Sequence, residues 1–359
     1  MSGYERRAER LAQRVEELGL DLLLVSRLVN VRYLTGFTGT NGAFLSGPAR
    51  CVFVTDFRYV ERAKREVPDF ERVRGRDDLL ETVAEIATGG RLGFDDSHMT
   101  VRAHARLAEK VGEAVELVPA GGLVEELRAV KDDAEVAAIR ASAALADDVY
   151  RWLIAEHGLA GHTEHAVAQA LERRAQDLGA DGVSFPPIVA AAENGALPHA
   201  TPRRDAAIAR GTLVVVDFGC VLDSYCSDCT RTFATGEVAD DAREVYELVR
   251  RAQEAALAAT RTGAGVRDLD GVARRMIEEA GRGDQFGHGL GHGVGLEVHE
   301  APRLAPSATG DLQRGNIVTI EPGVYVPDRF GVRIEDLVLV AEAGPQALTS
   351  IPKELITVE

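Results

Sequence analysis

Carboxylates occupy positions in the second half of the chain where a buried β-strand would normally carry apolar side chains. Asp217 ends the apolar run 213–216, and Asp228 follows in the same stretch. A hairpin that turns between Leu222 and Asp223 makes Asp217 and Asp228 direct partners, with Cβ atoms about 4.5–5.5 Å apart. Two bare carboxylates at that separation repel each other, so one must hold a proton unless a cation lies between them. The spacing therefore predicts a site for a divalent cation.

A second pair of acids repeats this arrangement nearer the C-terminus. Glu321 and Glu335 interrupt apolar runs, and a turn centred on Asp328 makes them direct partners. The segment 327–329, Pro-Asp-Arg, has a composition that suits a turn. Gly331 offers an alternative, because a bulge at this glycine would shift the register.

A glycine-rich segment between these two stretches carries three histidines. In GHGLGHGVGLEVHE, glycine occupies every second position at the start, and the histidines are His288, His292 and His299. Glycine allows the backbone to approach a ligand closely, and imidazole can bind a metal or carry a proton. A phosphate-binding loop is not indicated, because no Gly-Lys-Ser/Thr sequence follows.

The four acids and at least one histidine together suit a pair of divalent ions. Formal charge agrees with this interpretation, since four carboxylates at −1 balance two ions at +2. The oxygen-rich ligand set favours Mn²⁺ or Mg²⁺, with Co²⁺ and Zn²⁺ able to compete. Such a pair can activate water and stabilise a tetrahedral oxyanion, so the predicted chemistry is metal-assisted hydrolysis.

The elements that must position these residues fall into two regions. Up to about residue 120, helical and strand patterns alternate, which is typical of an α/β fold. The clearest of these patterns are the helix 5–19 and the strands 21–25 and 51–56. The sequence then changes from a loop to a long helix. We place the boundary there and predict an N-terminal α/β domain, residues 1–125, and a catalytic domain, residues 126–359.

The helices of the second region carry recognisable start signals. Asp132 or Asp133 is expected to cap the long helix, and Thr163 is expected to cap the next. Two more helices are predicted at 241–260 and 267–280. The last third of the chain is rich in glycine and in strand patterns.

Composition excludes several classes of partner. Forty-one Lys and Arg against 57 Asp and Glu give a net charge of −16, which argues against nucleic acid and against anionic membranes. No apolar run approaches the roughly 18 residues of a membrane span, and the charged N-terminus does not resemble a secretory signal. Four cysteines in 359 residues do not make a disulfide scaffold. We expect a cytoplasmic protein with reduced thiols.

Cys226 and Cys229 form a Cys-x-x-Cys sequence around Asp228. Such a pair is found in half of a zinc site or in a redox centre. A second Cys-x-x-Cys is absent from the sequence, and Cys51 and Cys220 are not suitably spaced. Core cysteines are therefore the preferred interpretation.

From about residue 125 to its end, the chain resembles the pita-bread metallopeptidase family. The closer resemblance is to the Xaa-Pro branch, the prolidases (Xaa-Pro dipeptidases) and aminopeptidases P. It rests on DFGCVLDSYCSDCTRTF, GHGLGHGVGLEVHE, EPGVY and GVRIED, which occur in the family order. NVRYLTGFTGTNGAFL and RAVKDDAEVAAIR, nearer the N-terminus, resemble the same branch. The implied architecture is a creatinase-like α/β domain followed by a pita-bread catalytic domain.

The resemblance implies five metal ligands, whose pattern is complete in this sequence. Asp217 would bind one metal, Asp228 and Glu335 would bridge both, and His292 and Glu321 would bind the second. Relatives of the creatinase type, which catalyse without metal, have lost this set. Retention of the ligands therefore argues for a working metal site.

Further roles are implied for residues around these ligands. Glu321 resembles the acid that accepts a proton, and His299 the histidine that stabilises the tetrahedral intermediate or carries protons. His199 and His288 resemble histidines that contact the substrate or the ligands. Arg333 resembles the arginine that orients the site.

The implied activity is hydrolysis of the bond between an N-terminal residue and proline. We expect an Xaa-Pro dipeptidase, with Mn²⁺ preferred and Co²⁺ or Zn²⁺ as alternatives. An aminopeptidase P that accepts longer peptides is the main alternative, and a catalytically inactive peptide-binding relative is a further one. The resemblance also implies a homodimer, in which the partner's N-terminal domain determines how far the cleft is closed.

Overall fold

The structure, a computed structural model, describes residues 2–76 and 78–359. The chain divides into two compact units, Met1–Arg128 and Ala129–Glu359. This division lies close to the boundary at residue 125 that the sequence suggests. Each unit contains its own sheets and its own clusters of buried apolar side chains.

The N-terminal unit is built on one mixed sheet of six strands. They are β1 (Leu22–Val25), β2 (Gly42–Ser46), β3 (Cys51–Thr55), β4 (Glu71–Arg74), β5 (Gly90–Phe94) and β6 (Val115–Pro119). Their order is β4-β3-β2-β1-β5-β6. The central pairs β1–β2 and β2–β3 are antiparallel, whereas β3–β4, β1–β5 and β5–β6 are parallel. The predicted α/β character of this region is confirmed.

Six helices accompany these strands. They are α1 (Gly3–Glu17), α2 (Leu28–Thr35), α3 (Val60–Glu66), α4 (Leu79–Ile86), α5 (Val101–Val111) and α6 (Leu123–Ala129). Helix α1 begins at a capping box, in which Ser2 and Glu5 satisfy each other's backbone N–H groups. It therefore starts slightly earlier than the predicted range 5–19. Leu107 of α5 is completely buried among the apolar residues of the sheet.

Two of the four helices of the C-terminal unit begin at predicted caps, and the other two begin one residue before their predicted ranges. The four helices are α7 (Asp133–Trp152), α8 (Glu164–Asp177), α9 (Asp240–Ala259) and α10 (Val266–Glu279). Asp132, rather than Asp133, is the N-cap of α7, because its carboxylate accepts the N–H groups of Ala134 and Glu135. The Thr163 hydroxyl accepts the N–H of Ala166 and so caps α8. No helix of the described ranges has the length and hydropathy of a membrane span.

The strands of the C-terminal unit are short and form four small sheets. They are β7 (Gly182–Val183), β8 (Ile188–Ala191), β9 (Leu213–Asp217), β10 (Cys220–Leu222), β11 (Tyr225–Cys226), β12 (Thr230–Ala234), β13 (Gly291–Gly293), β14 (Glu300–Leu304), β15 (Ile317–Ile320), β16 (Gly323–Val326), β17 (Phe330–Arg333), β18 (Asp336–Ala341) and β19 (Gly344–Ala347). The orders are β11-β10-β7, β12-β9-β8, β14-β13-β15-β18-β19 and β16-β17. Helices α9 and α10 bury their apolar faces against strands β15 to β18.

The first acidic hairpin, residues 213–234, has a register that differs from the predicted one. Asp217 pairs with Thr230, not with Asp228, because the turn lies one residue later than expected. Asp223 and Ser224 form that turn, and both have left-handed φ angles, 49° and 74°. Two positive φ values favour the type I′ geometry that closes a two-residue hairpin. The direct pairing of the two aspartates was therefore wrong, and Asp228 lies diagonally across from Asp217.

The second acidic hairpin, residues 317–341, has the predicted register. Strands β16 and β17 pair Gly323 with Arg333 and close around Asp328, which takes a left-handed φ of 59°. The same register continues from Ile320 paired with Asp336 along β15 and β18. Pairing runs through Gly331 without a shift, so the alternative of a bulge there is wrong. Glu321 and Glu335 lie at the junction of the two strand pairs, at positions that this register sets against each other, although their backbone N–H groups bond to Leu290 and Thr230.

Candidate metal centre

Strand ends and junctions of the C-terminal unit bring acids from both hairpins together with a histidine. Asp217 ends β9, Glu335 lies between β17 and β18, and Asp228 precedes β12. Asp228, His292 and Glu335 offer ligand atoms that all lie within 4.8 Å of one another. Glu321, between β15 and β16, adds a carboxylate whose Oε1 lies 3.2 Å from His292 Nε2. All five predicted ligands therefore reach one buried region.

The glycine-rich segment allows His292 to reach this region. Strand β13 lies so close to β15 that a Cβ atom on Gly291 would overlap the carbonyl oxygen of Thr319. The glycines thus permit a close approach of backbone to backbone, whereas the sequence suggested an approach to a ligand. Nδ1 of His292 lies 3.1 Å from the Gly293 carbonyl oxygen. That contact orients the ring so that Nε2 faces the acids, as in many metal-binding histidines.

Arg333 is the buried cation of the site. Its Nη2 donates to Asp217 Oδ2 at 2.7 Å, and its Nη1 donates to the Tyr325 hydroxyl at 2.8 Å. Further donor contacts reach the Thr230 hydroxyl at 3.1 Å and the Pro198 carbonyl at 3.2 Å. The Arg333 side chain is 4% exposed, and the fixed geometry of its guanidinium group holds four acceptors in place at once. Arg333 thus contacts Asp217 directly, and its role in orienting the site stays a prediction.

Burial and mutual repulsion push the pKa values of the acids apart. Burial, with the charges of Glu335 and Asp217, raises the pKa of Asp228 well above its usual range. Burial and the charge of Glu321 raise the pKa of Glu335 in the same way. Burial acts on Glu321 too, but the hydrogen bond and charge of His292 lower its pKa to about 2. Burial disfavours the imidazolium form, yet Glu321 raises the pKa of His292. Acids crowded in this way can all ionise only with added positive charge.

The hydrogen bonding of Asp217 indicates whether a cation fits among these acids. While Oδ2 bonds to Arg333, the buried Oδ1 of Asp217 has no hydrogen-bond partner among the described residues. A buried carboxylate oxygen is costly unless a hydrogen bond or an ion satisfies it. Four carboxylates and an imidazole are ligands that divalent cations such as Mn²⁺ accept. The residues present therefore fit a divalent metal.

The three other predicted histidines surround this centre at different depths. His288 contacts the Tyr325 hydroxyl through Nε2 at 3.0 Å, and burial lowers its pKa. The His299 ring lies 4.4 Å from the His292 ring, and burial followed by the charge of His292 lowers the pKa of His299. His199 is exposed, on the loop after the 3₁₀ turn Ala192–Ala196.

Three residues of the site were not assigned from the sequence. They are Tyr325, which joins His288 to Arg333, and the buried threonines Thr230 and Thr319, which bond to site carboxylates. The register of the second hairpin could have indicated Tyr325 from the sequence. Tyr325 shares the parity of Glu321 and so lies on the same face of the hairpin.

The cysteines do not form a second centre. All four lie within the described ranges, and each is a thiol rather than half of a disulfide. Cys226 and Cys229 are buried among apolar side chains in two separate clusters. Burial raises the pKa of Cys229 well above its usual range, which makes the thiol unreactive. The interpretation as core cysteines is confirmed.

Comparison with known proteins gives a consistent family. Residues 137–342 match metallopeptidase family M24, and residues 7–130 match the Creatinase/Prolidase N-terminal domain. An Xaa-Pro dipeptidase from Bacillus anthracis superposes with a TM-score of 0.94 at 37% identity, covering 99% of each chain. An X-Pro aminopeptidase from Thermotoga maritima MSB8 superposes with a TM-score of 0.88 at 33% identity, covering 96% of this chain and 100% of its own.

A curated relative extends the comparison. An Xaa-Pro dipeptidase of Pyrococcus furiosus is 33% identical, over 98% of this chain and 100% of its own. The predicted resemblance to the Xaa-Pro branch and the predicted pita-bread fold are therefore confirmed. Since the family model covers more than half of the sequence and these relatives match almost all of it, the chain belongs to metallopeptidase family M24.

Proposed function

We propose that this protein hydrolyses the peptide bond between an N-terminal residue and proline, as an Xaa-Pro dipeptidase. The observation that carries the proposal is the convergence of Asp228, His292 and Glu335 within 4.8 Å, with acids from both hairpins around them. The relatives named as Xaa-Pro dipeptidases match over nearly the whole chain. A dedicated site is reasonable for this bond, because the proline nitrogen carries no N–H for an ordinary peptidase to recognise.

In this proposal, five residues hold two divalent ions: Asp217, Asp228, His292, Glu321 and Glu335. When bound, such ions polarise a carbonyl and lower the pKa of water. We propose Mn²⁺ as the native ion, with Co²⁺ or Zn²⁺ as alternatives, because four of the five ligands supply oxygen.

The remaining polar residues would act on the substrate and on its protons. The carboxylate of Glu321 would accept the proton of the attacking water. His299 would donate a hydrogen bond to the oxyanion, because a lowered pKa keeps its ring neutral with one N–H at neutral pH. His199 and His288 would contact the substrate, and Arg333 would hold Asp217 in its orientation through the 2.7 Å ion pair.

Aminopeptidase P activity is the second candidate function. The X-Pro aminopeptidase from Thermotoga maritima favours this candidate, because it is 33% identical to this chain. The Xaa-Pro dipeptidase of Pyrococcus furiosus has the same identity. The two activities differ in whether the site accepts a chain that continues beyond proline. Substrate length therefore separates them.

We further propose a homodimer in the cytoplasm, with the domain boundary near residue 125. Four thiols suit a reducing compartment, and the similarity to the Xaa-Pro branch supports both the domain organisation and the dimer. Light scattering coupled to gel filtration tests the dimer: a monomeric mass would contradict it.

An assay with matched peptides tests the proposed activity. The metal-stripped protein is loaded with Mn²⁺ and given Ala-Pro, Gly-Pro, Ala-Pro-Ala and, as a control, Ala-Ala. We expect hydrolysis of the two proline dipeptides, little of the other two peptides, and loss of activity with a chelator. Cleavage of Ala-Pro-Ala at a comparable rate would favour the aminopeptidase. A metal-loaded protein inactive on every Xaa-Pro peptide would refute both activities and favour a binding protein.

A further inference from the structure

Two threonines, one from each acidic hairpin, bond to carboxylates of the candidate metal centre. Thr230 belongs to β12 and Thr319 to β15, and both side chains are completely buried. Valine would fill the same volume in a buried strand without bringing a hydroxyl that must be satisfied. The hydroxyls therefore call for partners, and each of them contacts two residues of the site.

The hydrogen-bond direction at Thr230 follows from the chemistry of its partners. Nε of Arg333 lies 3.1 Å from the Thr230 hydroxyl oxygen, and a guanidinium can only donate. The oxygen of Thr230 therefore accepts from Arg333, and its own proton remains for Glu335 Oε2, at 2.7 Å. The backbone of Thr230 contacts the same acid, because its carbonyl accepts the N–H of Glu335 at 3.1 Å. One residue thus holds Glu335 by main chain and side chain.

Thr319 repeats the arrangement on the opposite hairpin. The backbone N–H of His292 donates to the Thr319 hydroxyl at 3.0 Å, and a backbone N–H is also only a donor. The hydroxyl proton of Thr319 therefore remains for Glu321 Oε1, at 3.0 Å. Thr319 therefore links strand β13, which carries His292, to the carboxylate of Glu321.

The two contacts have the same consequence for the carboxylates. A hydroxyl whose oxygen already accepts from a fixed donor has fewer orientations left for its proton, and in both threonines a carboxylate oxygen of the site lies at hydrogen-bond distance to receive it. Each contact engages one oxygen of the carboxylate, restricts the rotation of its plane, and leaves the other oxygen for a different ligand. Groups beyond the direct ligands commonly orient metal-binding side chains in this way.

We propose that Thr230 and Thr319 are positioning residues of the metal centre, which orient Glu335 and Glu321 through hydrogen bonds from their hydroxyls. The inference rests on the proposed two-ion site and extends it to residues that bind neither metal nor substrate. Thr230 couples Glu335 to Arg333, and Thr319 couples Glu321 to His292. Loss of either hydroxyl would loosen one metal-binding carboxylate and leave the strand intact.

Metal affinity, measured without any substrate, tests this assignment. Thr230→Val and Thr319→Val are stripped of metal and titrated with Mn²⁺ by calorimetry beside the wild type. We expect each valine variant to bind about 10- to 100-fold more weakly, the loss typical of groups that orient metal ligands. Thr230→Ser and Thr319→Ser keep the hydroxyl and should recover most of the affinity. In assays at saturating Mn²⁺, kcat should fall more than KM changes.

Thr235→Val is the matched control. Thr235 follows β12, is completely buried, and donates to the carbonyl oxygen of Ala209 at 2.7 Å, outside the metal centre. Its valine variant should lose thermal stability without losing Mn²⁺ affinity. Alanine variants at 230 and 319 repeat the titration if a valine variant does not fold.

The outcomes separate this inference from the proposed function. Wild-type affinity in the valine variants, or an equal loss in Thr235→Val, would overturn the positioning roles. If the wild type binds Mn²⁺ but cleaves no Xaa-Pro peptide, the proposed function fails and the affinity series still decides the roles of the threonines. A wild type that binds no divalent ion would overturn both.

Discussion

The two acidic hairpins present their carboxylates in different ways. In the second hairpin, Glu321 and Glu335 lie at the junction of two strand pairs, at positions that their shared register sets against each other. In the first, Asp217 pairs with Thr230, and Asp228 lies diagonally across from it. The acids still converge, because a diagonal neighbour lies on the same face of a sheet as the direct partner.

The difference comes from the position of a turn. The first hairpin turns at two left-handed residues, Asp223 and Ser224, whereas the second closes around Asp328. A turn displaced by one residue changes every pairing by two residues, and such a change keeps each side chain on its own face. Alternation along a strand therefore predicts the shared face well, even where the partner across the strand is wrong.

Among substitutions in the two hairpins, removal of the Asp228 carboxylate should have the largest effect on metal affinity and activity. Asp228→Asn keeps the volume but takes a charge from the point where the two hairpins and His292 meet, with a ligand set within 4.8 Å. We expect Mn²⁺ affinity and Ala-Pro hydrolysis to fall by more than about 100-fold, beyond the loss usual for groups that only orient ligands. Calorimetric titration and the peptide assay measure the two losses.

Asp223→Asn is the control for this variant. Asp223 is exposed in the turn of the same hairpin and takes a φ that asparagine also adopts readily. Its metal affinity and activity should match those of the wild type. Full activity in Asp228→Asn would refute the assignment of Asp228 as a ligand.

Arg333 connects the two hairpins, and its loss should cost stability. Arg333→Met leaves Asp217 and Tyr325 buried without their donor, and breaking a buried ion pair costs about 3–5 kcal/mol. Chemical denaturation of the metal-stripped variant measures the free energy of unfolding. Arg329→Met, in the turn of the second hairpin, breaks an exposed pair with Asp241 and should cost less than about 1 kcal/mol. Equal losses in the two variants would show that Arg333 does not link the hairpins.

Each hairpin contains a glycine that close packing requires. A Cβ atom on Gly219 would overlap the carbonyl oxygen of Ser227, and a Cβ atom on Gly331 would overlap the carbonyl oxygen of Gly195. Gly219→Ala and Gly331→Ala should each lower the free energy of unfolding by about 1–3 kcal/mol, the usual cost of overpacking. Gly182→Ala, where a Cβ atom meets open space, should be neutral. A neutral result at Gly331 would mean that β17 and the 3₁₀ turn Ala192–Ala196 can separate enough to accept a methyl group.

The smallest effect is expected at the turn of the second hairpin. Asp328 adopts a left-handed φ of 59°, which glycine tolerates without steric cost. Asp328→Gly should therefore change stability by no more than about 1 kcal/mol and leave metal affinity intact. A thermal unfolding scan measures the change. A large loss would indicate that the Asp328 side chain, rather than the backbone geometry, holds the turn.

Much of the fold was accessible from the sequence because its signals are local. Caps at Asp132 and Thr163 mark helix starts correctly, since a side-chain oxygen at an N-cap bonds to nearby N–H groups. The register of the second hairpin follows from one turn. That of the first depends on which two residues take positive φ, and neither Asp223 nor Ser224 carries the strong signal that a glycine would give.

The candidate site was predictable at its charged residues and less so at its neutral ones. A carboxylate in an apolar run stands out, because burial of an unpaired charge is costly. Thr230, Thr319 and Tyr325 do not stand out, because threonine and tyrosine are common in ordinary strands. Their importance lies in hydrogen bonds to residues distant in sequence, such as the 2.7 Å contact of Thr230 with Glu335, and sequence alone does not encode those distances.

The number of divalent ions bound per chain tests the central claim most directly. Metal-stripped wild-type protein and Asp228→Asn are dialysed against micromolar Mn²⁺, and bound metal is measured by atomic emission. Four acids and His292 from separate strands should hold two ions per wild-type chain and fewer in the variant, in parallel with Ala-Pro hydrolysis. Full Ala-Pro hydrolysis by a wild type that binds no ion would contradict the account.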